Sequence, residues 1–141
     1  MSTETNKALL RKWIEEGWNK GDLAVVDEVY APNVAQHDPG SPFPVNNTEG
    51  LKMYVGMYKS AFPDLTFTVE DLVAEGDKVL WRFNSRGTHT GALGPIPPTG
   101  KTGDVAGMVL FRCANGQIAE VWVNVDTLGL MQQLGVIPAL A

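Results

Sequence analysis

The segment Ile118–Asp126 places chemically useful side chains at alternate positions. Its members divide into an aliphatic set, Ala119, Val121, Val123 and Val125, and a mixed polar and aromatic set, Glu120, Trp122, Asn124 and Asp126. Because successive side chains of a β-strand point to opposite faces, each set occupies one face. The mixed set fits the wall of a partly apolar cavity, and it also fits the solvated face of a half-buried strand.

Asp126 is the candidate acid/base residue of this segment. In an apolar cavity, desolvation disfavours the charged carboxylate and raises its pKa toward neutrality, as proton transfer near pH 7 requires. His37 and His89 are the histidines of the chain and the other natural proton carriers, although a single histidine at a strand end is also compatible with a structural role. We expect Asp126 to be sequestered from solvent within reach of an imidazole.

Other chemistries lack suitable residues or spacing. Metal-ligand types are present, but no pair has the local spacing of a metal site, so we expect no metal at His37, Asp38, His89 and Asp126. The segment 94–102 resembles a phosphate loop, but its glycines lie one residue too far apart and its three prolines remove amide donors. No Gly-x-Ser-x-Gly elbow occurs, and Cys113 lies in an apolar run where an inert thiol is expected.

Length, composition and charge favour one domain spanning residues 1–141, of which 44% are hydrophobic. Eleven Lys and Arg residues against sixteen Asp and Glu residues give a net charge of −5. The basic residues form no stripe, so we expect no binding to nucleic acid. No apolar run is long enough to cross a membrane, and residues 1–6 lack the features of a signal peptide. We expect a cytoplasmic protein.

The periodicity of apolar residues changes once along the chain. Helical spacing at Leu9–Trp18, Leu23–Tyr30 and Leu51–Phe62 predicts three helices, the last ended by Pro63. Beyond Pro63 the pattern alternates and predicts four strands before a final helix; the strands lie at 65–70, 79–84, 105–113 and 118–125, and the helix at 127–134. A short strand is also expected at Val34–His37. Helices followed by antiparallel strands predict an α+β domain with the helices on one face of a curved sheet.

Five short segments, in this order and spacing, resemble the SnoaL-like polyketide cyclase family of the nuclear transport factor 2-like (NTF2-like) superfamily. They are Trp18-Asn19-Lys20-Gly21-Asp22, His37-Asp38-Pro39, Gly87-Thr88-His89-Thr90-Gly91, Pro97-Pro98-Thr99-Gly100-Lys101 and Glu120-x-Trp122-x-x-x-Asp126. The resemblance implies a cone-shaped α+β fold. In that fold, a curved, mostly antiparallel sheet is wrapped by N-terminal helices around an apolar pocket.

The resemblance also implies a reaction: cofactor-free intramolecular aldol cyclisation, or a related proton transfer, on a small apolar carbonyl compound. Asp126 matches the family's acid/base aspartate and His37 its pocket histidine, with His89 as the other candidate partner. The substrate is expected to contact large apolar side chains of the pocket, namely Trp18, Met57, Trp81, Met108 and Trp122. A homo-oligomer, dimer or tetramer, is expected through the outer face of the sheet, to which we assign the aliphatic set of residues 119–125.

Two further functions fit the same pocket. One is a small-molecule binding protein without catalysis, which the pocket alone does not distinguish from an enzyme. The other is a different enzyme of this fold, either a ketosteroid isomerase-like protein or an epoxide hydrolase. An epoxide hydrolase requires an arginine between paired aspartates, and Arg82 and Arg86 are the available candidates.

Overall fold

The computed structural model describes residues 2–138, which form one mixed sheet and the helices packed against it. The helices are α1 (Thr3–Lys12), α2 (Val25–Val29), α3 (Thr48–Ala61) and α4 (Thr127–Gln133), and a π-helical segment (Trp13–Asn19) continues α1. The strands are β1 (Tyr30–His37), β2 (Thr66–Glu75), β3 (Lys78–Thr88), β4 (Thr102–Ala114) and β5 (Gln117–Val125). The predicted α+β class is confirmed.

The five strands are arranged in the order β1-β5-β4-β3-β2. Strand β1 pairs with β5 in parallel, and the other three neighbouring pairs are antiparallel. The sheet is therefore mostly antiparallel, as predicted. Every strand predicted after Pro63 is present, and β2 extends five residues beyond its predicted end at residue 70.

One face of the sheet, called here the inner face, packs against the helices. Alternate residues of β3 are buried there, and Val79, Trp81 and Phe83 are each at most 3% exposed. Across the strands, Trp81 is paired with Val109, and Val109 with Val123. This alternation buries apolar surface on the inner face and leaves the other side of the same strands, the outer face, to polar and partly exposed residues.

The N-terminal helix differs from the regular helix that the spacing predicts, because its second half is π-helical. The wider turn brings residues five apart close together, and the rings of Trp13 and Trp18 lie 6.1 Å apart between centroids. The Trp13 ring also covers Gly17, where a side chain would collide with it. Asn19 then ends the segment by hydrogen bonding to both main-chain groups of Phe67 in β2, at 2.8 and 3.0 Å.

The loop rich in glycine and proline, between β3 and β4, folds back over the helical side of the molecule. The amides of Thr90 and Gly91 both donate to the carbonyl of Ala61 at 3.1 Å, at the end of α3. A side chain at position 91 would collide with the backbone of Ser60, so the close approach requires glycine. Among the helices of residues 2–138, none has the length and apolarity that a bilayer crossing demands.

Candidate functional site

A cavity of about 260 Å³ lies between the inner face of the sheet and the helices. Its wall includes aromatic side chains from the π-helical segment, from α3 and from β2 and β3: Trp13, Trp18, Tyr54, Tyr58, Phe67, Trp81 and Phe83. Residues 93–96 of the long loop and Leu130 and Met131 of α4 also line it. The apolar pocket expected from the sequence is therefore present.

Three of the four residues of the aliphatic set, Val121, Val123 and Val125, line this cavity and do not form the outer face to which they were assigned. Val121 and Val123 are buried, and both line the cavity together with Val125. Ala119 is an extra residue in β5, because Arg112 pairs with Glu120 while the next residue, Cys113, pairs with Ile118. The prediction that these three valines lie on the outer face is wrong, because a uniformly aliphatic face is the one that a sheet buries.

The members of the mixed set that belong to β5, Glu120, Trp122 and Asn124, lie on the outer face, as the solvated-face alternative required. Trp122 stacks on His37 with ring centroids 5.5 Å apart. His37 Nε2 donates to Glu120 Oε2 at 2.8 Å, and Arg112 Nε approaches Glu120 Oε1 at 3.3 Å. The hydrogen bond from His37, together with Arg112, lowers the pKa of Glu120 from its ordinary value. His37 and Trp122 are therefore away from the cavity, contrary to the prediction.

Asp126 is exposed to solvent, so the prediction that its carboxyl group is sequestered is wrong. It is the N-cap residue of α4, and its Oδ1 accepts a hydrogen bond from the amide of Gly129 at 2.8 Å. The neighbouring residues Val125 and Thr127 line the cavity. The desolvation on which the catalytic assignment depended is absent, and a capping role explains the aspartate at this position.

His89 is fully buried beneath the long loop, outside the cavity wall. The amide of Thr99 donates to its Nδ1 at 3.2 Å, and its ring stacks on Phe62 with centroids 5.2 Å apart. Because Nδ1 accepts, the ring proton is assigned to Nε2, which has no hydrogen-bond partner in the described part of the chain. His89 thus holds the loop against the core. The three predicted catalytic residues occupy three separate places.

The predicted substrate-contacting residues divide between the two faces of the sheet. Trp18, Met57 and Trp81 line the cavity, and their contact with a substrate stays a prediction. Met108 is 49% exposed, and it lies on the outer face between Arg82 and Asn124 in the strand register. Met108, like Trp122, is on the wrong face to contact a molecule in the cavity.

Several polar groups of the cavity come from residues that the sequence did not single out as site residues. Tyr54 and Tyr58 project from successive turns of α3, and the hydroxyl of Tyr54 donates to Asp38 Oδ2 at 2.6 Å. Gln36 lies at the end of β1 and lines the same cavity. Two nitrogens, Nε2 of Gln36 and Nε1 of Trp81, are buried without a hydrogen-bond partner within residues 2–138.

Two signals in the sequence could have indicated this arrangement. Tyr54 and Tyr58 are four residues apart on a predicted helix, so both phenols lie on the same side of it. Asp126 directly precedes a predicted helix, where aspartate is a preferred N-cap. No group of three or more His, Cys, Asp or Glu side chains suited to hold a metal ion occurs among the described residues.

The sequence matches the profile of the SnoaL-like polyketide cyclase family over residues 8–134. No curated protein matches it. The fold is similar to that of TsrD from Streptomyces laurentii, with a TM-score of 0.87 and 28% identity over 97% of this chain and 99% of that one.

Two further solved structures are similar over most of their length. One is IdmH from Streptomyces antibioticus, described as a candidate polyketide cyclase, with a TM-score of 0.79 and 31% identity over 92% of this chain and 98% of that one. The other is AclR from Streptomyces galilaeus, described as a candidate hydroxylase, with a TM-score of 0.86 and 26% identity over 99% and 87% of the two chains. One fold therefore carries proteins described by different activities.

Proposed function

Because the chain belongs to the SnoaL-like polyketide cyclase family, we propose that it is a cyclase-like enzyme acting on a carbonyl compound in the cavity. The reaction is an intramolecular aldol ring closure, or an isomerisation where only a proton moves. It uses acid/base chemistry and no cofactor. The proposed enzyme acts in the cytoplasm.

The unpartnered donors of the cavity carry this proposal. The indole N–H of Trp81 and the amide nitrogen Nε2 of Gln36 are buried donors of residues that line the mostly apolar wall. A buried donor without an acceptor costs about 1–3 kcal/mol, and the carbonyl oxygen of a bound molecule supplies the missing acceptor. Donors fixed in a cavity of low polarity also stabilise the negative charge that develops on this oxygen when an enolate forms.

The size of the cavity limits the part of the substrate that it encloses. Its volume of about 260 Å³ exceeds the roughly 150 Å³ of an engineered protein cavity that binds benzene. The cavity therefore encloses a unit of one or two rings, or the open chain that closes to form them. A longer substrate would extend past residues 93–96 and α4, which line the cavity but lie near the surface.

The chemistry proceeds without oxidation or reduction. A base removes the proton from the carbon next to a carbonyl, and the electron pair of the broken C–H bond forms the enolate. The enolate carbon attacks a second carbonyl of the same molecule, which forms the new C–C bond, and the resulting alkoxide takes up a proton. Loss of water then gives a cyclic enone. Trp81 and Gln36 would hold the enolate oxygen during the first two steps.

The alternative as an epoxide hydrolase loses support from the positions of the arginines. Arg82 Nε contacts Asp71 Oδ2 at 2.6 Å, and both side chains are about half exposed. The side chain of Arg86 is 71% exposed and lies near Asp104. Neither arginine lines the cavity. A binding protein without catalysis needs the same donors, so turnover is the property that distinguishes it from the enzyme.

Ring closure of 2,6-heptanedione to 3-methylcyclohex-2-enone tests the proposal, because this diketone contains the reacting groups and the enone absorbs in the ultraviolet. We expect the protein to accelerate closure, and Trp81→Phe to reduce the rate by about 100-fold, the lower loss seen for one oxyanion donor. Trp122→Phe is the matched control on the outer face and should leave the rate unchanged. Thermal unfolding of each variant verifies folding.

The outcomes separate an enzyme from a binding protein. Binding of the diketone without acceleration would favour a binding protein over the proposed cyclase. Equal losses of rate in Trp81→Phe and Trp122→Phe would show that the cavity donor is not specifically involved. Replacement of Gln36 by Met, which keeps its length and removes its amide, provides an independent measure of the second donor.

The outer face supplies the surface for the proposed homo-oligomer. A continuous row of register partners crosses the sheet from β2 to β1, called here the outer row: Val73, Leu80, Leu110, Trp122 and His37. Val73 is 58% exposed and Leu80 is 36% exposed. Charged side chains lie on both sides of the row, among them Arg112 and Glu120 on one side and Asp71 and Arg82 on the other. An apolar centre with a charged rim is typical of a subunit interface.

A further inference from the structure

A short hydrogen bond at the cavity joins α3 to the residue that follows β1. Tyr54 lines the cavity and is 6% exposed, and its hydroxyl donates to Asp38 Oδ2 at 2.6 Å. The second carboxylate oxygen of Asp38 accepts from the amide of Gly40 at 2.9 Å. Asp38 is only partly buried. The hydrogen bond therefore connects a side chain of the cavity wall to a partly exposed carboxylate.

The surroundings of Tyr54 keep its hydroxyl protonated. Burial, then the neighbouring phenol of Tyr58 and the carboxylate of Asp38, raise the pKa of Tyr54 well above its ordinary value. Tyr54 is therefore a neutral phenol at neutral pH, with its proton directed to Asp38. Its oxygen retains lone pairs that can accept a proton from a molecule in the cavity.

We propose that Tyr54 and Asp38 form a proton relay that acts as the base of this site, an inference that rests on the proposed function. Tyr54 touches the substrate and accepts the proton from the carbon next to its carbonyl. In the same step, Tyr54 passes its own hydroxyl proton to Asp38. Asp38 acts through Tyr54 and does not contact the substrate.

The relay balances protons and charge. The C–H bond of the substrate breaks as the new O–H bond on Tyr54 forms, and the original O–H bond of Tyr54 breaks as one forms on Asp38. The negative charge moves from the carboxylate to the enolate oxygen, where the donors of Trp81 and Gln36 lie in the same cavity wall. In the reverse direction, the relay returns a proton to the alkoxide after ring closure.

A simpler role is also consistent with the same hydrogen bond. Tyr54 would then serve only to fasten the segment after β1 to α3, as the Gly40 amide and the Asp38 carboxylate fasten the turn itself. A structural role predicts losses of folding or of ligand binding in the variants. A relay predicts a loss of proton transfer while folding and binding persist.

Exchange of the α-protons of 2-tetralone in deuterated water tests the relay directly. The exchange requires only enolate formation, and it is followed by proton NMR without any ring closure. We expect the protein to accelerate exchange and Tyr54→Phe to reduce the acceleration by about 100-fold, the lower range for an acid/base group. Asp38→Asn keeps the shape of the side chain but accepts no proton, so we expect a similar loss.

Two measurements accompany the exchange rates. Quenching of tryptophan fluorescence gives the dissociation constant of 2-tetralone, which should remain that of the unmodified protein in both variants. Asp27→Asn is the matched control, because Asp27 forms a surface ion pair with Lys52 of α3 at 2.8 Å. It removes a carboxylate that contacts the same helix, and its exchange rate should be unchanged.

Each outcome either supports or overturns the relay. Full exchange in Tyr54→Phe or in Asp38→Asn would overturn it. So would a parallel loss of binding and exchange, since this is the result of a structural role. A protein that binds 2-tetralone without exchanging its protons would also overturn it. Closure of 2,6-heptanedione and its dependence on Trp81 remain a separate measurement, so the relay can fail while the proposed function stands.

Discussion

Trp122 and His37 stack on the outer face of the sheet, with ring centroids 5.5 Å apart. The two residues are direct partners in the parallel pairing of β1 with β5. His37 also donates to Glu120, which approaches Arg112. The stack is therefore the end of the outer row, and a charged cluster lies beside it. This arrangement assigns both rings to the surface that we propose for assembly.

Leu110→Arg is expected to convert the proposed oligomer into a monomer. Leu110 lies at the centre of the outer row, between Leu80 and Trp122 in the register, and a buried unpaired charge in an interface is strongly unfavourable. Light scattering coupled to size-exclusion chromatography measures the mass. Leu128→Arg, at a 51% exposed position of α4, is the control. A monomeric unmodified protein would refute assembly through this surface.

Asp126→Ala is expected to lower the free energy of unfolding by about 1 kcal/mol, the usual cost of losing an N-cap. Asp126→Asn keeps an acceptor for the amide of Gly129 and should be nearly as stable as the unmodified protein. Urea unfolding measures both. We expect Asp126→Asn to close 2,6-heptanedione at an unchanged rate. A loss of 100-fold with unaltered stability would instead favour the acid/base role that the family resemblance implied.

The tyrosines are expected to resist ionisation in the folded protein. Burial is the main cause that raises the pKa of Tyr30, Tyr54 and Tyr58 above the ordinary value of 10.0. These are the three tyrosines of the chain. Alkaline titration followed by tyrosinate absorbance should therefore show little ionisation near pH 10. Unfolded protein in urea is the control and should titrate there. Full titration of the folded protein near pH 10 would contradict the burial of these phenols.

Asp64 is expected to make stability sensitive to acid. Its carboxylate accepts hydrogen bonds from the amide and the hydroxyl of Thr88 at 2.7 and 2.8 Å, which lower its pKa from the ordinary value of 3.8. A carboxyl group with a lowered pKa stabilises the fold fully above its unfolded pKa and loses this contribution as the pH falls through its folded pKa.

Asp64→Asn removes this titration. The unmodified protein should be more stable than Asp64→Asn at pH 7, and the difference in free energy should shrink as the pH falls below about 4. Urea unfolding at several pH values measures it. Asp71→Asn, on the outer face, is a carboxylate control. A difference that stays constant from pH 7 to pH 3 would show that the Thr88 hydrogen bonds do not depend on the charge of Asp64.

The elements of the fold could be predicted because they depend on local periodicity. The alternation of Val79, Trp81 and Phe83 established both the strand and its buried face, since burial on one side of a sheet repeats every second residue. The π-helical segment was not predicted. It depends on the packing of Trp13 over Gly17 and on the hydrogen bonds of Asn19 to Phe67, and residue spacing alone does not reveal these contacts.

The site could be predicted only in part, and the strand β5 shows why. From residue 120 to residue 125, alternation separated the residues of β5 into two sets correctly, but it did not say which set faces the helices. The presence of Trp122 among polar residues favoured the wrong face. The side of the sheet on which the helices pack decides which set faces the cavity. That packing is a property of the whole fold.

By itself, the sequence determined the α+β class, the order of the elements, the family and the presence of an apolar pocket containing Trp18, Met57 and Trp81. These properties follow from hydrophobic periodicity and from short segments in a fixed order. Only the tertiary structure decided which polar groups meet in the cavity. Tyr54 and Asp38 are 16 residues apart, and Trp81 lies on yet another element. Contacts between residues so distant along the chain are set by how helices and sheet pack, which local patterns do not encode.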